Sequence, residues 1–152
     1  MTSEEEIILD FETLPTWEEK YEYIIELGKN SQFINPKLTD KKHLLEGCQS
    51  KVWIKCEVQK DKVVFIGNSD ALITRGLVAL IIKLYSKNCE NDWKKLFLGG
   101  ESESGNHHVL KKIGIIKHLS MTRAQGLNLM EKKIKNYAFG WIQKLKLLND
   151  EK

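Results

Sequence analysis

At 152 residues, with 24 basic and 21 acidic side chains and a formal charge of +3, the chain has the size of one domain and no strong charge bias. Only Arg75 and Arg123 are arginines and the positive charge is spread along the chain, which argues against a nucleic-acid binder. Met1 to Asp10 carries glutamates where a secretory leader has basic and then apolar residues, and no apolar run approaches membrane-spanning length; a soluble, cytoplasmic protein is expected.

The first clear element lies around Pro15 to Gly28. Thr16 and Glu19 have capping-box spacing, and Trp17, Tyr21, Ile24 and Ile25 form one apolar stripe, which predicts a helix ended by Gly28. Asn30 to Lys41, with Pro36 and several polar residues, reads as loop. Leu44-Leu45 then leads into Glu46-Gly47-Cys48. From Lys51 to Val58 the pattern alternates, Val52, Ile54, Cys56 and Val58 on one face and Lys51, Trp53, Lys55 and Glu57 on the other, as in a half-buried strand. A polar break at Lys60-Asp61-Lys62 predicts a hairpin into a second strand, Val63 to Ile66, and His43 to Glu46 is expected to add a third. Asn68-Ser69-Asp70 offers N-cap chemistry before a helix from Ala71 to Tyr85, apolar nearly all round and therefore a core element. Gly76 in its middle predicts the close approach of a neighbour. Asn91 or Asp92 is placed to cap a short helix through Trp93 to Leu98, and Gly99 to Asn106 reads as a polar, mobile surface loop. Ser120 is expected to cap a final helix in which Leu127, Met130, Ile134, Tyr137, Trp141, Leu145 and Leu148 recur at helical spacing opposite a lysine-rich face. No repeat or linker divides the chain, so residues 1–152 are expected to form one domain.

Three cysteines, Cys48, Cys56 and Cys89, form neither a paired framework nor a CxxC zinc signature, so free thiols are expected. Cys56 shares the apolar face of its strand and reads as a small hydrophobe. Cys89 stands beside Glu90, which disfavours its thiolate. Cys48 follows Gly47 between two candidate strands, where a backbone turns sharply and presents a side chain. A structural turn explains that dipeptide equally well. Gln49 and Ser50 place hydrogen-bonding groups beside the thiol, and a cation brought near by folding, for example Arg123, would favour its thiolate. Trp17 and Trp53 are expected to pack in the core.

At this point the residues resemble a known family. Gly47-Cys48-Gln49-Ser50-Lys51-Val52-Trp53 is similar to the GCQSxVW signature of the SufE family. Asn68-Ser69-Asp70-Ala71 with Gly76-Leu77 resembles its SDA...GL segment, and Leu119 to Leu127 resembles its LSPSRxxGL signature, with Met121 for the usual proline and Thr122 for the frequent serine. The helix from Thr16 to Gly28 also matches the family's opening pattern. The likeness spans roughly Phe11 to Ala138, and the polar stretch near 99–106 and the helical tail after about 139 look particular to this chain.

The resemblance implies an α+β fold, a small antiparallel three-stranded sheet packed against helices in a SufE/IscU-like two-layer arrangement. It implies that Cys48 is the persulfide-carrying cysteine of a sulfur acceptor that stimulates a cysteine desulfurase and delivers sulfur for iron–sulfur cluster assembly. Gly47, Gln49, Ser50, Asp70 and Arg123 would support the active loop or bind the partner. For Asp70 an N-cap role is equally open, and for Arg123 an internal salt bridge. The implied partners are a SufS-like or CsdA-like desulfurase and a downstream scaffold such as a SufBCD-like complex; no cofactor, metal, nucleic acid or membrane is implied, and the chain would be a monomer or weak homodimer. Cys48 is expected to be largely buried in the free protein, its loop swinging outward when docked. The rival readings are an iron–sulfur scaffold using the cysteines and a non-catalytic regulator of a desulfurase.

Overall fold

The computed structural model describes residues 2–59, 62–86 and 106–150. In chain order the elements are α1 (Ser3–Thr13), α2 (Trp17–Asn30), a 3-10 turn (Lys41–His43), β1 (Val52–Gln59), β2 (Lys62–Ser69), α3 (Leu72–Tyr85), α4 (His108–Lys112), a second 3-10 turn (Ile116–His118) and α5 (Met121–Asp150). Among the described residues no helix is long and apolar enough to cross a membrane. The short helix expected at Trp93 to Leu98, the loop to Asn106 and Cys89 fall largely outside the described residues.

Helix α1 had no counterpart in the sequence reading, although its signal is present. Thr2 accepts from the Glu5 backbone N–H and Glu5 reaches back to the Thr2 N–H, a complete capping box, while Ile7 and Phe11 share one face and are fully buried. Thr16 caps α2 through the Glu19 N–H, as its spacing predicts. Gly28 does not end that helix, which runs to Asn30. Its role is packing: a Cβ there would lie 2.8 Å from the Gly76 nitrogen, and a Cβ on Gly76 would overlap the Ile24 carbonyl. The two glycines let α2 and α3 cross with their backbones in contact.

α3 lies across the hairpin and is buried by α2, the sheet and α5, which explains why Leu77, Val78, Leu80, Ile81, Ile82 and Leu84 fill nearly its whole circumference. β1 and β2 pair antiparallel from Val52↔Ser69 to Gln59↔Lys62, the hairpin that the polar break anticipated. The sheet has two strands, correcting the expected third. His43 ends a 3-10 turn and Gly47 has φ 93°, so only Leu44 and Leu45 between them run beside β1, through one Leu44↔Trp53 bridge and a 2.7 Å bond from the Leu45 N–H to the Val52 carbonyl. On the other edge Ile34 bridges Gly67. The loop following α2 is held by the buried Asn68 side chain, which donates to the Pro36 and Leu38 carbonyls. Trp53 is buried, as expected for core packing, and Trp17, half-buried, packs against the core from its edge and stacks on the His118 ring at 3.7 Å. In α5, Leu127, Met130, Ile134 and Ala138 form the buried stripe. The side chains of Trp141, Leu145 and Leu148 lie outside the description.

Candidate functional site

The chain enters β1 through a short excursion, residues 46–50, fastened at both ends. Upstream, the Leu45 bond to Val52 holds the segment against β1. Gly47 then turns with positive φ, a conformation that costs any residue with a Cβ, and a Cβ there would stand 3.0 Å from Leu129 Cδ1 on α5. Downstream, Asp70 Oδ1 accepts the Lys51 N–H at 2.9 Å, and the Asp70 N–H donates to the Lys51 carbonyl at 3.2 Å. Asp70 therefore fastens the exit of the loop to the end of β2. It is not the N-cap of α3: Ala71 takes that position without a capping side chain. Ser69 accepts the Ala71 N–H, and its carbonyl takes two bonds from the Arg75 guanidinium, at 3.1 and 2.9 Å.

Cys48 sits between these fastenings. Its Sγ lies against the backbone of Gly126 on α5, 3.7 Å from where a Cβ would be. The thiol is half-buried rather than fully enclosed, and it opens into a cavity of about 430 Å³. Leu77 and Met130 give the cavity an apolar floor, while Gln49, Ser50, Thr74, Ser120, Thr122 and Arg123 supply polar groups. Ser120 caps α5 as expected, accepting the Arg123 N–H at 3.2 Å. The fold thus brings Cys48, Gln49, Ser50 and Arg123 to one cavity, with Gly47 and Asp70 shaping the loop that carries the thiol. Thr74, Ser120, Thr122 and Gly126 complete the wall. None had been singled out as a site residue, although Gly126 stands one helical turn after Arg123 in the signature and lies beside the Cys48 sulfur.

Burial pushes the Cys48 thiol up from its ordinary range, so in this conformation the neutral form is favoured. Arg123 is exposed and forms no ion pair among the described residues. Among the described residues neither a carboxylate nor an imidazole lines the cavity. Cys56 is half-buried on β1 and is pushed up to about 11, by burial first and by the charge of Glu57 second.

Another cluster of ligand-type side chains lies away from the cavity, where Glu4 of α1 faces His107 and His108. His107 Nδ1 accepts the Val109 N–H at 3.1 Å, which assigns the ring proton to Nε2, and that nitrogen faces Glu4 at 3.4 Å. An imidazole in this tautomer offers a metal no lone pair at Nε2, so the cluster reads as a carboxylate bridging two imidazoles.

The family model described as SufE, the Fe-S metabolism associated domain, matches residues 5–138. An uncharacterised SufE-like protein of Rhizobium meliloti (strain 1021) is 36% identical over 144 residues, spanning 92% of this chain and 97% of that protein. A second, from Rhizobium etli, is 36% identical over 146 residues, spanning 91% of this chain and 90% of the relative.

Proposed function

This chain belongs to the SufE family, and we propose that it acts in iron–sulfur metabolism as a sulfur acceptor and carrier, with Cys48 as the residue that takes the sulfur. The donor in this reading is a cysteine desulfurase of SufS-like or CsdA-like type, which the carrier stimulates. The recipient is a cluster-assembly scaffold such as a SufBCD-like complex, and the exchange takes place in the cytoplasm.

The observation that supports the reading most directly is the placement of the Cys48 thiol on a loop fastened at both ends, against Gly126, at the wall of a cavity large enough for an additional sulfur. The chemistry is a thiol–persulfide exchange. The Cys48 thiolate attacks the outer sulfur of a donor cysteine persulfide; the new sulfur–sulfur bond forms at Cys48, the donor's breaks, and the donor cysteine leaves as a thiolate. Nothing is oxidised or reduced overall, and no cofactor on this chain is required. Because no carboxylate or imidazole lines the cavity among the described residues, the Cys48 proton goes to solvent or to the donor's groups when the loop moves. Arg123 is the cation available in the cavity to favour the anionic sulfur once it is deprotonated. The raised thiol pKa of the free protein suits a carrier that stays unreactive until docked.

The test is to incubate the protein with a purified cysteine desulfurase and free cysteine and to map added sulfur by mass spectrometry. One added sulfur atom on the Cys48 peptide is expected. Intact wild-type protein that gains no sulfur there from an active desulfurase overturns the reading. Stimulation that survives Cys48→Ser would instead favour a regulator that carries no sulfur.

A further inference from the structure

Among the described residues five polar side chains are buried: Asn68, Ser69, Thr74, His107 and Glu131. Four of them are tied into the fold. Asn68 donates to two loop carbonyls, Ser69 accepts the Ala71 N–H, His107 Nδ1 accepts the Val109 N–H, and Glu131 accepts from Tyr85, Asn106 and the His107 backbone. Thr74 differs. It stands in the apolar core helix α3 at 7% exposure, and its hydroxyl has no hydrogen-bond partner among the described residues. It does not even bond back to the carbonyl one turn earlier, as Ser86 does to Ile82 just past the end of the same helix.

Thr74 is also a wall residue of the Cys48 cavity. It shares one face of α3 with Leu77, and α5 presents Thr122, Gly126 and Met130, at intervals of four, to the same cavity. The Cys48 sulfur lies beside Gly126. The other polar wall residues are open to solvent: Gln49, Ser120, Thr122 and Arg123 are exposed and Ser50 is half-buried, so water competes for their hydrogen bonds. Thr74 is the polar wall residue that the protein withdraws from solvent, yet its oxygen is not sealed in, so it opens on the cavity. A buried hydroxyl without a partner destabilises the empty protein, and valine would fill the space without that cost. A ligand that supplies the partner accounts for it.

From this we infer that the Thr74 hydroxyl is the inner hydrogen-bond donor of the cavity, kept for the outer sulfur of a Cys48 persulfide and holding it as the anion. The inference rests on the carrier reading above and adds to it the residue that retains the transferred sulfur. The sulfur–sulfur bond carries the outer atom about 2 Å beyond Sγ. No hydrogen bond joins Thr74 to the Cys48 thiol itself, so the donor is left for an atom that arrives later. A persulfide is a stronger acid than its parent thiol, and its outer sulfur is an anionic acceptor near neutral pH. A hydroxyl donating to it from a site shielded from water stabilises that anion more than a surface hydroxyl does. An outer sulfur held inward is also kept from the reductants and oxidants that would remove it. The charged side chain on the wall among the described residues is the exposed Arg123, and its contribution does not depend on the hydroxyl of Thr74.

The experiment loads Cys48 with inorganic polysulfide, one sulfur of which the thiolate attacks while the shortened chain leaves as an anion. Alkylation is then followed against pH by peptide mapping, which separates the Cys48 persulfide from the unloaded thiol. Thr74→Val is expected to raise the persulfide midpoint by about one pH unit and to leave that of the unloaded thiol in place. Thr74→Ser, which keeps a hydroxyl, should restore most of the difference. The empty Thr74→Val protein should denature at the same midpoint as wild type or a higher one, since it loses no bond of the fold. Persulfide midpoints that agree between wild type and Thr74→Val overturn the inference. So does an equal shift of thiol and persulfide, or a Thr74→Val protein destabilised as if a structural bond had been cut. A wild-type Cys48 that iodoacetamide reaches but polysulfide does not load would show that the cavity holds no second sulfur, which also overturns it. Because this loading uses no protein donor, the two readings fail separately. A persulfide shift without loading by a desulfurase defeats the carrier reading and leaves the Thr74 contact standing, whereas desulfurase loading without the shift defeats the contact alone.

Discussion

Cys48 and Cys56 offer a comparison within one short stretch of chain. Both thiols are half-buried, and both are pushed up by burial. Cys56 is a strand residue opposite Phe65, packed against the core beside an acidic neighbour that raises its pKa further. Its surroundings can change only if the hairpin opens. Cys48 packs against the core as well, but from a loop rather than a strand, held by the bend at Gly47, the Asp70 fastening and the contact with Gly126. Equal burial therefore means different things. The carrier proposal needs a thiol that is covered yet releasable, and a loop position suits that better than a paired strand position.

The largest effect separates the two directly. Cys48→Ser is expected to abolish sulfur loading by a desulfurase, a loss of at least about a hundredfold, whereas Cys56→Ser should leave loading near wild type. Loading that moves to Cys56 would break the comparison. The next effect sharpens it by separating stability from reactivity. Gly76→Ala forces a methyl group into the Ile24 carbonyl and should destabilise the fold by about 2 kcal/mol, seen as a lower denaturation midpoint. Well below that midpoint the ratio of Cys48 to Cys56 alkylation, read by peptide mapping, should not change.

The Asp70 fastening gives a smaller and more local effect. Asp70→Ala removes the acceptor of the Lys51 N–H, a bond of the order of 1 kcal/mol, which corresponds to about a fivefold shift in a loop-opening equilibrium. Iodoacetamide should modify Cys48 about fivefold faster in this variant and Cys56 at its previous rate. Equal acceleration of both thiols would show that Asp70 holds the hairpin rather than the loop.

Much of this comparison was legible before any coordinates. Alternation placed Cys56 on the inner face of β1, and the Gly47-Cys48 pair between strand signals marked a turn. The short-range rules worked where a residue's role is decided by its neighbours in sequence, as with Thr16, Ser120 and the antiparallel pairing of β1 with β2. They failed where the deciding partner is distant. Asp70 sits in an N-cap context, yet its carboxylate is taken by the Lys51 N–H. Gly28 resembles a helix stop, yet it is a contact surface for Gly76. His43 to Glu46 has strand-like residues, yet a 3-10 turn and the positive φ of Gly47 leave length for one bridge. Gly126 was visible within a signature, but no local rule says that it lies beside a sulfur contributed by a loop far back along the chain.

The smallest effect concerns protons, and it tests whether cover or charge governs Cys48 in the free protein. Because its pKa in the closed loop is raised, burial of the neutral thiol contributes stability that is fully present below the pKa of the unfolded thiol. That contribution is lost as pH rises through the folded value. The loop should therefore open more easily in alkali, and the alkylation rate of Cys48 should keep climbing beyond the pH at which the thiol of an unfolded chain levels off. Cys56 should follow with a midpoint near 11. Asp70→Ala, by exposing Cys48, should return its profile toward that of the unfolded thiol and leave that of Cys56 in place. If the Cys48 midpoint in the wild-type protein falls below the unfolded value, Arg123 already stabilises the thiolate in the closed loop. Docking would then have no reactivity to release, and the difference between the two cysteines would lie in charge rather than in cover.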